Sequence, residues 1–524
     1  MTQFPLLSAI IAVPFIGAVL TLIVPRRAAW GWGVAVALVG LVLALAIIPG
    51  FSSQSATLQF VERDTWLPEL GITYSVGVDG LSVFMLSLNA LLTLVALIAS
   101  GSRLRQDERA RTYVALALAL SGAMQGVFVA TNLFLFYIFW ELMLIPAYLL
   151  VGIYGGPGRA AAAIKFVLFT AVGSLLMLAG IIYLGLVTSS SAGVAFTLDL
   201  PTLINMTVPA SAQPVLFLAF MAAFAIKAGL FPFHGWAPDV YTQAPAPIAA
   251  LIAGVMAKTA TYGMLRIVLP LFPQAAQTYF PVVGALAVIG LLYFAAVALV
   301  SNDIKRLLAY VSLSHMSVIV LAVFAMNQQG IQGAVLQMVN HGIIIAALFL
   351  IVGAIEERVG TRSLTEFGGL ATKLPWLATA FGIVTLAALG LPGLNSFAGE
   401  ILAFLGAFQA DRPYGILATL VVIPAAWYML RFFQGVAHGP RPEQGPVAEA
   451  LAEPEGAKTR AGGLRDLNGR EWVALAPLIA LIVFLGVAPY FITQRTETAS
   501  NMIVVAISAG TSGASSAPMI PAGG

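Results

Sequence analysis

Apolar runs of roughly 20 residues, the length a helix needs to cross a bilayer, recur along almost the whole chain. They are continuous rather than alternating, which predicts helices and not barrel strands. The chain is 60% hydrophobic and 9% charged, where a soluble domain averages about 45–50% apolar residues. These features define an all-α integral membrane protein. The runs place about 14 transmembrane helices, spans 1 to 14, near 3–24, 31–49, 80–100, 112–130, 132–153, 163–187, 213–233, 246–269, 279–301, 306–326, 331–355, 377–408, 414–436 and 473–494. The first run, in MTQFPLLSAIIAVPFIGAVLTLIV, has no basic residue ahead of it, so it is expected to be a retained helix and not a secretory signal. With the N-terminus outside, every Lys and Arg except Arg63, Lys227, Lys258, Arg266, Arg412 and Arg495 falls toward one side, which is 19 of 25. The positive-inside rule makes that side the inner one and supports an even number of spans.

The organisation expected is an N-terminal unit 1–111 with an outer loop 51–79, a first five-helix repeat 112–269, a second 279–436, an inner-side loop 437–472, a last helix 473–494 and a flexible outer tail 495–524. Two spans carry breakers at depth. Span 7 reads FMAAFAIKAGLFPFHGW, with Pro232 five residues after Lys227, and span 12 reads LAALGLPGLNSFAGEILAF, with Pro392 between Gly390 and Gly393. Proline removes a backbone donor and clashes with the preceding turn. Broken helices at matching places in two halves point to an ion site. Spans 4–8 and 9–13 each hold five helices, so consecutive copies of such a unit are inverted in the membrane.

Against this background four ionisable residues stand out inside apolar spans: Glu141, Lys227, Lys258 and Glu400. Each charge costs roughly 2.5–3.5 kcal/mol near the bilayer centre, and chains keep such groups mostly to move ions or protons. Glu141 has no basic neighbour in sequence, and Lys227 is its expected partner, either as a pump element or as a fixed ion pair. Lys258 lies mid-span among Gly254, Ala257, Ala260 and Gly263, with room for water or for a bond to backbone carbonyls. Glu400 lies just beyond the span 12 break, as an exchange site or a capping carboxylate. His315 and His341 lie inside spans 10 and 11, where imidazole suits proton transfer near neutral pH. His234 lies just beyond the span 7 break and is expected to hold it; His438 belongs to the inner loop.

Other functions are poorly served. The chain has no cysteine, which excludes cysteine-ligated iron–sulfur clusters and cysteine–zinc sites within it. GGPGRAA at 155–161 lacks the spacing and preceding strand of a dinucleotide loop, and the histidines form no metal-ligand cluster on one helix. The basic loops accord with topology and do not suggest nucleic-acid binding.

Five segments together resemble one family: VGVDGLSVFML at 76–86, FWELMLIPAYLLVGIYGG at 139–156, AIKAGLFPFHGWAPD at 225–239, NDIKRLLAYVSLSHM at 302–316 and GLPGLNSFAGE at 390–400. They are similar to the antiporter-like membrane subunits of respiratory complex I, the M chain type above all, over roughly residues 70–435. That resemblance implies a non-redox subunit of a proton-translocating NADH:quinone oxidoreductase. By matching motif, Glu141 and Lys227 would pair at the first half-channel, Lys258 would be the central relay, His315 and His341 would lie on the hydrated axis, and Glu400 would be the outer terminal residue. A carboxylate at that last place is the M-chain form, whereas APDVYTQAPAP at 237–247 is closer to the N-chain version. No cofactor would sit in this chain; iron–sulfur clusters, flavin and quinone would belong to partner subunits. Sister antiporter-like chains would flank it in a bacterial inner (plasma) membrane. Subunits of Mrp-type sodium/proton antiporters and membrane-bound hydrogenases share the same buried groups and are the alternatives.

Overall fold

The computed structural model describes residues 4–67, 70, 72–105, 107–193, 195–452 and 464–512. It is almost entirely helical. Among the described residues, eleven helices are long and apolar enough to cross a membrane, or twelve when the bent pair Gln213–Ala228 and Phe233–Gln243 is taken as one span. Expected span 1 falls on a shorter apolar helix, Leu6–Thr21, and expected span 12 on Pro375–Ala388 and then Asn395–Ala410.

Spans 8 (Ala246–Leu271) and 10 (Ile304–Phe324) are enclosed by other helices on every side, and span 11 (Gln328–Val359) nearly so. Span 2 (Arg26–Gly50) and span 14 (Gly469–Val487) turn most of their surface outward, where lipid takes the place of protein. The hydrophobic effect does not sort helices within lipid, so close packing decides which ones sit together. Glycine sets the approach of the central helices: Gly254 of span 8 abuts the Gly342 carbonyl of span 11, and Gly333 and Gly330 of span 11 lie against the backbone of Ala403 and Gly406.

The two expected breaks have the same backbone. Gly229 and Gly390 both adopt φ 71°, the left-handed conformation that glycine takes without strain. In span 7 the Gly229 N–H donates to Ile226 O at 3.1 Å and the Leu230 N–H to Ala225 O at 2.9 Å. In span 12 the Gly390 N–H donates to Ala387 O at 3.1 Å and the Leu391 N–H to Leu386 O at 3.1 Å. This is the Schellman ending, which satisfies the last carbonyls of a helix before the chain turns away. Three residues further on the pattern still matches, with Phe233 N–H on Leu230 O and Leu394 N–H on Leu391 O.

Three segments differ from the sequence expectation. The outer loop 51–79 contains an antiparallel pair, β1 (Gln59–Leu67) and β2 (Ile72–Val78), with Arg63 opposite Ser75 and Asp64 opposite Tyr74. Glu62 on β1 accepts from Leu7 N and Ser8 N at 2.7 and 3.0 Å, placing a carboxylate at the start of span 1 where the helix dipole favours it. The inner loop 437–472 is described except for 453–463. Within it Asp466 accepts from Trp376 N and Leu377 N at the start of the first half of span 12, and Arg358 makes a two-pronged bond to Glu471 at 2.7 Å on each arm. The expected flexible tail is, over Tyr490–Ser512, a helix; residues 513–524 lie outside the described residues. Its small, polar composition hides a helical stripe: Ile492, Thr496, Ser500, Ile503 and Ile507 are buried at spacings of three and four. Thr498 Oγ1 bonds Ser53 O at 2.7 Å and Gln274 bonds Gly510 O at 3.0 Å, so this helix lies across the ends of spans 2 and 9.

The absence of cysteine makes that helix easy to test. Single cysteines at Gln494, Glu497 and Asn501, all exposed, are expected to react quickly with a membrane-impermeant maleimide from the outer face. Cysteines at Thr496 and Ser500, both fully buried, are expected to react slowly. Uniform fast labelling would mean a loose tail.

Candidate functional site: a buried line of lysine, imidazole and carboxylate

Span 8 is not a plain α-helix. Two π-helical turns, Ile252–Met256 and Met264–Val268, flank the short α-helical piece Lys258–Gly263. In the first of them the Ala257 N–H reaches back five residues to Ile252 O. Such turns widen a helix and occur often at functional sites. Lys258 has no exposed surface, and its Nζ donates to Ala253 O at 2.5 Å within the same span. The ammonium is held by a neutral carbonyl dipole, with no carboxylate within ion-pair distance among the described residues.

Lys258 lies near enough to both His315 and His341 to act on them electrostatically. The two imidazoles are stacked, with ring centroids 5.4 Å apart and planes inclined by 12°. Neither nitrogen of His341 has a hydrogen-bond partner among the described residues, although both are buried. Buried polar atoms normally find partners. In a roomy polar site the usual partner is water. His315 Nδ1 then stands 3.5 Å from Glu400 Oε1.

Glu400 rests on the span 12 break. Oε1 accepts from Ser396 Oγ at 2.7 Å and from Gln337 Nε2 at 3.3 Å. Oε2 occupies the space beside Gly390 where any other residue would carry its Cβ, 2.5 Å away. Around it Gln337, Asn340, Asn395 and Ser396 are fully buried, and Asn340 Nδ2 donates to Asn395 O at 2.6 Å. Gln337 Oε1 and Asn395 Oδ1 are left without a partner among the described residues. A cavity of about 20 Å³, room for one water, adjoins Glu400 between Ser314, His315 and Tyr428.

The first half of the expected site is arranged differently from the expectation. Lys227, 2% exposed, makes no ion pair with Glu141 within 4 Å. Its Nζ donates to Trp140 O at 3.3 Å and lies 3.7 Å from the centre of the Trp140 ring, a cation–π contact. Glu141, the next residue, still acts on Lys227 electrostatically, and its Oε1 is buried with no partner among the described residues. Pairing is replaced by solvation from an aromatic face and a carbonyl. His234 stacks on Phe231 and meets the Phe294 ring edge-on at 4.7 Å between centroids, beside Pro232 and the break it was expected to hold.

Sequence reasoning missed Trp140 and the amides Gln337, Asn340 and Asn395. The signal was present on span 11, where Gln337, Asn340 and His341 fall at i, i+3 and i+4 on one helical face. Hydroxyls near the site mostly bond back to helix carbonyls, as Thr259 does to Met256 O and Ser317 to Leu313 O. Among the described residues no three His, Asp or Glu gather to hold a metal ion. At the inner ends of the spans a polar cavity of about 880 Å³ opens between Arg103, Gln243, Lys305, Glu356 and Arg362, with Lys305 and Glu356 paired at 2.8 Å. Its lining includes Ala246 and Pro247, at the start of the span that carries Lys258.

Apolar spans wrapped around buried lysines, imidazoles and a carboxylate, with two helices broken in the same way, define a multi-pass membrane protein of the antiporter-like class. The chain belongs to the NADH:quinone oxidoreductase/Mrp antiporter membrane family, whose model matches residues 130–424. It is 36% identical to NADH-quinone oxidoreductase subunit M of Rickettsia prowazekii over 93% of this chain and 96% of that one. Among solved structures it is similar to a chain of respiratory complex I from Thermus thermophilus, with a TM-score of 0.85, 32% identity and coverage of 96% and 99% of the two chains. A chain of the Mrp complex from Dietzia sp. DQ12-45-1b shares the fold, at a TM-score of 0.80, 23% identity and coverage of 97% and 100%.

Gly390 lies directly against the carboxylate. Gly390→Ala forces a side chain into the left-handed region, costing about 1–2 kcal/mol, and drives a methyl group into Glu400 Oε2. A lowered thermal midpoint together with impaired ion translocation is expected. Wild-type behaviour in both would show that the carboxylate does not depend on this seat.

Proposed function

We propose that the chain is the proton-translocating membrane-arm subunit of a complex I-type NADH:quinone oxidoreductase, a translocase that carries no redox group of its own. Its 14 spans would form two inverted five-helix repeats, spans 4–8 and 9–13. Iron–sulfur clusters, flavin and quinone would be held by partner subunits, with sister antiporter-like chains on either side in a bacterial plasma membrane. The observation that carries the reading is the enclosed line from Lys258 through the stacked His341 and His315 to Glu400.

The chemistry is set by the groups that solvate each charge. Lys227 and Lys258 are held by carbonyl oxygens and a ring, which stabilise an ammonium but do not trap it as a carboxylate would. A proton released by Lys258 passes through water to an imidazole nitrogen of His341, and the ring frees a proton from its other nitrogen. His315 repeats the exchange and delivers to Glu400, 3.5 Å from its Nδ1. Glu141 biases the first step: its negative charge favours the ammonium form of Lys227, and a shift of that charge lets the proton go. Quinone reduction in a partner subunit would supply the work, transmitted as a change of field along the line.

The sodium/proton antiporter reading rests on a shared fold at 23% identity, while the relatives at 36% identity are named as quinone oxidoreductase subunits. The test combines partners and pumping. Gentle purification and then mass spectrometry should recover flavin, iron–sulfur and quinone-site subunits with the chain. In membrane vesicles, Lys227→Met and Lys258→Met should leave the complex assembled but lower proton uptake per NADH oxidised and slow quinone reduction. Sodium-dependent exchange without reductant would favour the antiporter, and normal pumping by both variants would leave the lysines as structural.

A further inference from the structure

The matched breaks of spans 7 and 12 each lead to a carboxylate at the same distance along the chain. Ten residues after Gly390 stands Glu400; ten residues after Gly229 stands Asp239. Each carboxylate lies on the helix after its break, Asn395–Ala410 and Ala237–Gln243. Each is also bonded to the span just before its own. Glu400 accepts from Gln337 of span 11, and Asp239 Oδ2 accepts from Lys165 Nζ of span 6 at 2.8 Å. Both are reached by span 10 as well, Glu400 by His315 and Asp239 by Arg306 Nη1 at 3.4 Å.

The differences between the two sites concern depth. Glu400 is 12% exposed at its side chain, and Asp239 is 33% exposed beside cations that are 41% and 46% exposed. Lys165 and Arg306 lie within the first turns of helices that begin at Arg159 and Ile304, both starting on the side richer in Lys and Arg. Ion pairs this open to water add little to stability, so holding the fold together is a weak reason for two cations on one carboxylate. The cluster also joins the first repeat to the second, through Lys165 and Arg306. Five residues before Asp239 is His234, whose Nδ1 is buried without a partner among the described residues, and before that the break leads back to Lys227.

We propose that Asp239, set between Lys165 and Arg306, is the inner-face proton-loading carboxylate of the first repeat and the counterpart of Glu400 in the second. An inverted pair of repeats turns one backbone site into two, facing opposite sides of the membrane. Asp239 takes a proton from water at the inner face and gives it up through His234 toward Lys227; the deprotonated carboxylate then returns to its two cations. Lys165 and Arg306 are positioning residues that hold the carboxylate in place at the inner end of the span. This inference rests on the proton-translocation reading, and the test separates the two.

The intact complex in membrane vesicles carries the test, with proton uptake per NADH oxidised compared among wild type, Lys227→Met, Asp239→Asn and Asp239→Glu. Asp239→Asn is expected to lose pumping to the same extent as Lys227→Met, and Asp239→Glu to recover it. Normal pumping by Lys227→Met would sink the underlying reading. A pumping defect in Lys227→Met with wild-type behaviour of Asp239→Asn would overturn only the inference. The charge exchange Lys165→Asp with Asp239→Lys keeps an ion pair and removes the acid from its place. Recovery of pumping by that double variant would show a structural pair and also overturn it, whereas continued loss supports it. If Asp239→Asn fails to assemble, Lys165→Gln, which leaves the carboxylate in place, decides: impaired pumping supports the role and normal pumping overturns it.

Discussion

A charge inside a hydrocarbon layer has to find its solvation within the protein, and in this chain most of it comes from neutral groups. Lys258 uses the carbonyl of Ala253, Lys227 uses the carbonyl and ring of Trp140, and Glu400 uses the hydroxyl of Ser396 and the amide of Gln337. At the ends of the spans the arrangement is the opposite. There Arg266 meets Asp79 at 2.5 Å, Lys305 meets Glu356 at 2.8 Å and Arg358 meets Glu471 at 2.7 Å. A tight pair fixes the charge of both members, because removing one leaves the other buried and uncompensated. Dipoles stabilise a charge less rigidly, whereas the end pairs tie one helix to another.

The backbone is shaped to supply those dipoles. The π-helical turn before Lys258 changes the hydrogen-bond partners of span 8 next to the carbonyl that holds the ammonium. The break at Gly390 opens the space that Glu400 Oε2 fills. Around these irregularities the seams are closed by small residues, Gly254 on Gly342 and Gly333 on Ala403, which bring the helix backbones into contact. Irregular backbone at depth is tolerable in a membrane only where protein or trapped water satisfies it. The unpartnered nitrogens of His341 and oxygens of Gln337 and Asn395 mark where water is needed.

Much of this was legible in the chain because the bilayer imposes few solutions. Length and apolarity located the spans, proline and glycine located both breaks, and rarity singled out Lys227, Lys258 and Glu400. What stayed hidden depends on spatial neighbours. Glu141 comes directly after Trp140, yet only the fold shows that the lysine turns to the tryptophan. Gln337 and Asn340 are ordinary amides until span 12 brings Asn395 and Glu400 against them. The hairpin of residues 59–78 and the helix 490–512 escaped for another reason. Both lie outside the apolar spans, where the membrane no longer restricts the options and weak periodicity competes with loop-like composition.

The repeated break shows how one backbone can serve two chemistries. Gly229 and Gly390 share a dihedral angle and a hydrogen-bond pattern, but the residue two places earlier is Lys227 in one and Ala388 in the other. The first break therefore ends a helix on an ammonium, with the helix C-terminus favouring its positive charge. The second ends on a methyl group and places its ionisable residue on the next helix, held from the side by Ser396 and Gln337. The same turn ends one helix on a buried lysine and, after the other, seats a carboxylate. Lys258 and His315 lie in wholly enclosed spans, and His341 in one nearly so.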